Sequence, residues 1–352
     1  MEVSKGITLS FIIPVFNSEK YVKECIDSIL DFPSDHIEII LIDDGSTDGS
    51  GTICDVYGAT YKNVKVVHQL NGGVASARNR GIQESSGAYL FFVDNDDMVN
   101  GEKLGDLLDT LTLKQPDIVL NRYVIIGDDD KTTKGNAFID SAAINDKNTE
   151  EVLTYFRTSR INILAPWEYV VRREVITKNK LAFDSDQDGV DDSCFSPILF
   201  CHCSSFYIGD DTIYFWRQRQ DSQGRSHDKH SYIVKMISTI ATLDAYRQKN
   251  SENFIADYML FCIYKNAYSL LGQYYSYAIE DRLFLDTWYY EQKSLLHTAA
   301  ERSGIVHKLL HMFFGGLCGI IVSYKLAVFK GFVYSYLYGH SSRTTKEFQE
   351  IQ

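Results

Sequence analysis

Along the first part of the chain, short runs of β-branched and aromatic residues alternate with segments whose apolar positions recur every three or four residues. Ile7 to Val15 is a largely apolar stretch and reads as a buried strand. From Ser18 to Leu30, the residues Tyr21, Val22, Cys25, Ile26 and Ile29 share one helical face. Ile37 to Ile42 predicts the next strand, followed by a helix opening near Ser46 or Asp48. Val64 to His68, a helix from Val74 to about Glu84, and Ala88 to Val93 continue the alternation. Strands separated by helices predict an α/β fold with a mostly parallel sheet flanked by helices, and ligands then bind at the carboxyl ends of the strands.

After Val93 the pattern changes. A polar loop covers residues 127–148, a helix spans Glu151 to Arg157, and a Trp-containing segment follows. An acidic stretch from Asp184 to Asp192 precedes a short helix and a strand from Thr212 to Trp216, and beyond Asp221 the pattern is helical only. The expected organisation is an α/β domain over 1–230 and a helical C-terminal domain over 231–352. A chain of 352 residues with 45% hydrophobic content is long enough for both and excludes collagen, coiled coil and general disorder.

Charge removes further classes. The chain has 35 Lys and Arg against 47 Asp and Glu, net −12, which excludes a dedicated nucleic-acid binder with a basic face. The balance is uneven: residues 1–301 are strongly acidic, whereas 302–352 carry six basic and two acidic residues. Seven singly scattered cysteines make no disulfide framework and fit a reducing compartment, so the expected location is the cytoplasm. Ile7 to Phe16 is too short to span a membrane and has no small-residue cleavage site after it.

The familiar nucleotide and hydrolase loops are absent. No GxGxxG follows the first strand, the dipeptide Gly-Lys does not occur, and there is no GxSxG. Four other polar loops lie just past strand ends, the first of them Pro14-Val15-Phe16-Asn17. Asp94-Asn95-Asp96-Asp97 places three carboxylates after a buried strand, where a divalent cation on a phosphate ligand would neutralise them; hard oxygen donors suit Mg2+ or Mn2+. The same residues would also serve as an acidic turn capping the next helix. Asp43-Asp44-Gly45-Ser46 offers a fixed carboxylate to the imide N–H of a uracil, or an ordinary turn and N-cap. Asn71-Gly72-Gly73 opens a helix of small residues containing Arg78, which lets a diphosphate approach backbone N–H groups.

Taken in order, Ser10 to Asn17, Ile42 to Gly49, Asn71-x-Gly73 with Ala77-Arg78-Asn79, and Asp94-x-Asp96-Asp97 resemble the successive signatures of inverting glycosyltransferase family 2, which has the GT-A fold. The resemblance implies that Pro14, Val15 and Phe16 line the nucleoside site with Asp44 on the base. It sets Asn71 and Arg78 beside the nucleotide sugar, Asp94 toward the ribose with Asn95 next to it, and Asp96 on the metal that bridges the diphosphate. Further on, Trp167 is similar to the family's acceptor-side Trp. Asp191-Asp192 stands where the family has a Glu-Asp pair whose second acid is the general base, Asp192 here. Arg217 and Arg219 resemble the segment that closes over the diphosphate, and His227 lies where some GT-A enzymes place a metal-ligating His.

The resemblance therefore implies transfer of a sugar from a nucleotide-diphosphate donor, a UDP-sugar, to a hydroxyl of a glycan or lipid-linked acceptor, with inversion. A sugar-phosphate nucleotidyltransferase would need a basic Gly-rich loop after the first strand, and Pro14-Val15-Phe16-Asn17 is not one. A catalytically silent nucleotide-sugar-binding partner is the rival from a different class, kept open by the Asp-Asp departure.

Two other acidic or thiol-rich stretches carry no site. Asp184-x-Asp186-x-Asp188-Gly189 imitates an EF-hand opening but has Phe195 where a bidentate Glu is required. Cys201-His202-Cys203 is too tightly spaced for an ordinary zinc site. Residues 302–346 combine six Lys or Arg with an uncharged run from Met312 to Tyr324, too short to span a bilayer. They read as peripheral contact with the inner face of the cell membrane, or as a helical subdomain packed on the core or on a second copy in a homo-oligomer.

Overall fold

The computed structural model describes residues 7–127, 132–136, 138–187, 190–218, 229–273, 277 and 279–302. Arg219, His227 and all of the 302–346 segment beyond Arg302 lie outside the described residues. The chain divides into two compact units, one formed by residues 1–152 and 163–226 and the other by 153–162 and 227–352.

In the first unit, β1 (Leu9–Val15), α1 (Val22–Leu30), β2 (Ile37–Asp43), α2 (Ser50–Thr60), β3 (Val64–His68), α3 (Gly73–Glu84) and β4 (Tyr89–Phe92) follow in order. The elements continue with β5 (Met98–Val99), α4 (Leu104–Leu113), β6 (Ile118–Ile126), β7 (Thr132–Lys134) and α5 (Thr149–Ser159). Last come β8 (Tyr169–Arg172), α6 (Arg173–Lys178), α7 (Asp192–Cys201) and β9 (Phe206–Arg217). The sheet runs β3-β2-β1-β4-β8-β6-β9-β5, with β7 paired to β6. Pairings from β3 to β4 are parallel, as the alternating pattern implies, whereas β8 is antiparallel to both β4 and β6, so the whole sheet is mixed.

β1 sits inside the parallel half and is buried at all seven positions, which is why six of them are apolar and the seventh, Ser10, donates its hydroxyl to Glu38. α1 covers it with Val22, Cys25, Ile26 and Ile29, four of the five residues expected on that face. On the other side α3 approaches β1 so closely that a Cβ at Gly81 would stand 2.2 Å from Ile12 Cγ2. Because β1 to β4 run parallel, their carboxyl ends bring Phe16-Asn17, the loop after Asp43, the loop after His68 and the Asp94 to Asp97 loop to one edge.

The second unit is helical. It contains α8 (Lys229–Lys249), α9 (Asn253–Gly272) and α10 (Ile279–Arg302), together with the end of α5. α8 buries Ile233, Met236, Ile240 and Leu243, and Arg157 and Asp257 both bond Arg302, through its carbonyl and its guanidinium respectively. Among the described residues no helix is long and apolar enough to cross a membrane.

Candidate active site

Each carboxylate of the Asp43-Asp44 pair fixes a different loop. Asp43 Oδ1 accepts from the Ser46 backbone N–H at 3.1 Å. Asp44, 3% exposed, accepts from the Gly72 and Gly73 N–H groups at 2.9 Å each and from Gln69 Nε2 at 2.7 Å. Gly45 has φ +74°, and a Cβ there would lie 2.9 Å from the Asn71 backbone nitrogen, so only glycine lets these two loops pack together. Asn17 closes the first loop by accepting the Thr47 N–H at 2.8 Å. The start of α3, favourable for an anion through its N–H groups and dipole, is thus anchored against the ends of β1 and β2.

The acidic loop after β4 is tied down at both ends. Asn95 Nδ2 donates to the Pro14 carbonyl at 2.7 Å. Asp97 is buried and accepts from Tyr214 Oη at 2.6 Å and from the Arg217 backbone N–H at 2.7 Å, while the same Tyr214 oxygen accepts the Asp94 N–H at 3.2 Å. Burial, with the adjacent charges of Asp94 and Asp96, pushes the Asp97 carboxyl well above its ordinary range. Tyr214 in turn stacks on Trp167 at 4.8 Å, and Trp167 meets Trp216 at 5.9 Å and the edge of Tyr123 at 4.8 Å.

Arg78 joins this loop to the pair at the start of α7. Its guanidinium is buried and donates to Asp94 Oδ1 at 3.3 Å and to Asp191 Oδ2 at 3.2 Å, with the Phe183 ring 5.4 Å away. Burial opposes its charge, but Asp191 and Asp94 outweigh that and hold it above its ordinary value. α3 is also clamped to the Phe183 backbone by Asn79, whose amide donates to Phe183 O at 2.8 Å and accepts from its N–H at 2.9 Å. Asp192, one residue beyond the ion-paired Asp191, is pushed up to about 7, first by burial and then by the Asp191 charge, with Arg78 pulling the other way. Glu168 is also raised to about 7 by burial, although it accepts the Leu164 and Ala165 N–H groups at 3.0 and 3.1 Å.

The expected site residues therefore fall into connected groups. Pro14, Asp94, Asn95, Arg78 and Asp191 form one chain of contacts, with Asp192 following Asp191 at the first turn of α7. Val15 is buried at the end of β1 and its carbonyl accepts the Asp44 N–H at 2.8 Å; Phe16 beyond it is half-buried, and Asn71 is exposed. Asp96 is half-buried in the acidic loop. Trp167 is 7% exposed and lies within the aromatic stack, where it supports Tyr214. The Arg217 side chain donates to Glu24 Oε2 at 2.7 Å and to Met98 Sδ at 3.7 Å, with Tyr21 against its guanidinium. Asp97 and Asp43 were legible only as members of their motifs; their bonds to Tyr214, Arg217, Ser46 and His68, and Tyr214 itself, depend on partners brought together only by the sheet.

Three carboxylates in one loop supply hard oxygen donors, and Asp97 and Asp94 already have hydrogen-bond donors of their own. Among the described residues no group of three or more His, Cys, Asp or Glu side chains converges on one point. The donor set fits a Mg2+ or Mn2+ that draws most of its ligands from a diphosphate and water, not a closed protein cage.

A parallel half-sheet feeding polar loops at one edge, joined to a mixed half that carries a second acidic pair, is the GT-A architecture of sugar-transferring enzymes. Residues 10–177 match the Glycosyl transferase family 2 model. The chain is 33% identical over 214 residues to the uncharacterized glycosyltransferase EpsJ of Bacillus subtilis, covering 61% of this chain and 62% of that protein. It is 29% identical over 239 residues to the glycosyltransferase GlyG of Streptococcus pneumoniae, covering 66% and 78%. The chain thus spans less than two thirds of the length of EpsJ. Its fold is similar to that of residues 1–349 of S. aureus TarS, with TM-score 0.68 and 19% identity over 96% of this chain and 93% of that one. TarS has crystal structures with UDP and with UDP-GlcNAc.

Proposed function

We propose that the protein transfers a sugar from a UDP-sugar to a hydroxyl of a glycan or lipid-linked acceptor, with inversion at the anomeric carbon. The observation that carries this reading is the Asp94–Arg78–Asp191 bridge, which connects the acidic loop after β4 to a second acidic pair containing a carboxyl, Asp192, poised near neutrality. The family 2 match supports it, as do the UDP and UDP-GlcNAc complexes of TarS, whose fold this chain shares.

In this mechanism Asp192 accepts the proton of the acceptor hydroxyl. The acceptor oxygen bonds the anomeric carbon as the bond from that carbon to the diphosphate oxygen breaks, and the electron pair leaves with UDP. Single-step inversion needs the base on the face opposite the leaving group. Asp191, neutralised by Arg78, holds the start of α7 and keeps Asp192 in place. A Mg2+ or Mn2+ ion held by Asp96, with Asp94 beside it, would offset the charge of the departing diphosphate. The dipole of α3, whose Gly72 and Gly73 N–H groups already bond Asp44, would favour the same negative charge.

Incubation with UDP-, GDP- and TDP-sugars tests the reading. Release of UDP from one UDP-sugar, absent for the other nucleotides, is the expected result; nucleotide binding with no release under any acceptor makes the chain a silent binder instead. Asp96→Ala is expected to weaken UDP binding in Mg2+ or Mn2+ by at least tenfold, and turnover undiminished by excess chelator would refute the metal's part.

A further inference from the structure

One titratable side chain near the nucleoside loop is held from both ends. His68 ends β3 and is the register partner of Asp43 at the end of β2. Its Nδ1 lies 2.7 Å from Asp43 Oδ2, and its Nε2 lies 3.0 Å from Asp55 Oδ1 on α2. A neutral imidazole has one N–H and one lone pair, so it can donate to only one of two carboxylates; the second contact would oppose a lone pair and an anionic oxygen. Only the imidazolium satisfies both. α2 also makes room for the arrangement, because a Cβ at Gly51 would stand 3.0 Å from Asp43 Oδ2 and 3.8 Å from His68 Cε1.

The groups facing the ring are Asp43 from β2 and Asp55 from α2. The nearby Cys54 thiol is kept neutral, pushed up to about 12, first by burial and then by the Asp43 charge. The bonds to Asp43 and then Asp55 raise the pKa of His68 above its ordinary value.

We infer that His68 is a positioning residue for the nucleoside end of the donor site: as an imidazolium it fixes Asp43 Oδ2, so that Asp43 Oδ1 holds the Ser46 N–H and the Gly45 turn. This rests on the nucleotide-sugar reading above. Because the folded-state pKa is raised, the device is intact at low pH and is lost as pH rises through that pKa. After proton loss, the tautomer with Nδ1–H keeps a weaker bond to the buried Asp43, and Asp55, with its side chain 65% exposed, turns to water. Donor affinity then falls by about threefold to tenfold, the size of one charge-assisted hydrogen bond partly lost.

The test uses the full chain, labelled with 15N, with UDP and Mg2+ as the probe. The His68 ring nitrogens and the Ser46 amide are followed from pH 6 to 9, and UDP affinity is measured across the same range for wild type, Asp55→Asn and His68→Gln. The ring is expected to be doubly protonated at pH 7 and to share one titration midpoint with the Ser46 amide. In Asp55→Asn both midpoints should move down together by about one pH unit. Taking the ratio of variant to wild-type affinity cancels the ionisation of UDP itself. That ratio should be near one at the acid and alkaline ends and show weaker binding by the variant between the two midpoints, whereas a purely structural role gives the same ratio at every pH. His68→Gln should remove the His68 step from the profile. A neutral ring at pH 7, or a flat ratio, overturns the inference. Absence of UDP binding at every pH would instead sink the nucleotide-sugar reading, and the shared His68 and Ser46 midpoint would still decide whether the ring fixes the loop.

Discussion

A general base must be ionised while the hydroxyl is attacked, yet hold a proton firmly enough to take it, and Asp192 meets both needs through its surroundings. Its carboxyl is pushed up to about 7 by burial and by Asp191, and Arg78 stops it rising further. Transfer is therefore expected to increase with pH up to about 7 and then level off. Asp192→Asn should lower transfer by about 10² to 10⁴-fold while leaving UDP affinity close to wild type. The stability effect has the opposite sign. A carboxyl that titrates near 3.9 when unfolded and higher when folded destabilises the native state progressively as pH rises between those values. Asp192→Asn should thus raise the melting temperature by about 3 °C at pH 8 and by less at pH 5. Asp191→Asn should do the reverse, lowering stability because it leaves the buried Arg78 with one carboxylate instead of two. If Asp191→Asn abolishes transfer in a folded protein and Asp192→Asn is nearly silent, the base is Asp191. The paired acids and Arg78 were readable from their motifs. The Tyr214 bond to Asp97 was not, since the two residues are 117 positions apart and nothing local to Asp97 marks Tyr214 as its partner.

At the level of elements, α3 carries much of the site because it contributes the Gly73 N–H, Arg78 and Asn79 from one short helix. Its position depends on Gly81, where an added methyl would meet Ile12 Cγ2 at 2.2 Å inside the buried β1. Gly81→Ala is expected to cost about 1–3 kcal/mol through overpacking. Arg78 lies one turn earlier, so UDP affinity should fall along with the unfolding midpoint; unchanged stability would show that Ile12 can rotate away. The parallel half of the sheet was readable because its buried strands are mostly apolar runs, interrupted only by Ser10 in β1 and Glu38 in β2 before the polar strand end at Asp43. Of the other half only the Thr212 to Trp216 part of β9 was readable, and the rest was hidden for physical reasons. β5 has two residues and β8 four, too few to show a period, while β6 carries Asn121 and Arg122 in its middle. Those polar side chains donate to backbone carbonyls, Asn121 to Trp167 and Arg122 to Gly209, Asn136 and Ile139, partners visible only once the chain is folded.

Across the whole chain, charge separates a strongly acidic body from a basic end. The chain is net −12, yet residues 302–346 contain Arg302, Lys308, Lys325, Lys330, Arg343 and Lys346 with no Asp or Glu. At an anionic membrane surface the acidic body would be repelled and this basic segment attracted, so we assign any attachment to it. Each Lys or Arg close to such a surface contributes about 1 kcal/mol, and the uncharged Met312 to Tyr324 run adds apolar area that can enter the headgroup boundary. A lipid-linked acceptor would then meet the enzyme at the surface where that acceptor resides. The full-length protein is expected to sediment with vesicles containing phosphatidylglycerol at low salt and to be released as salt is raised, because screening shortens the reach of the attraction. Replacing Lys325 and Lys330 together by Glu should change the local charge by four units and abolish sedimentation, while UDP release from the donor sugar stays at the wild-type rate. Binding that persists at high salt and survives the double replacement would make the contact apolar, not electrostatic. A full-length protein that ignores anionic vesicles at low salt, and whose double variant becomes monomeric from an oligomer, would instead assign the segment to contact with a second copy.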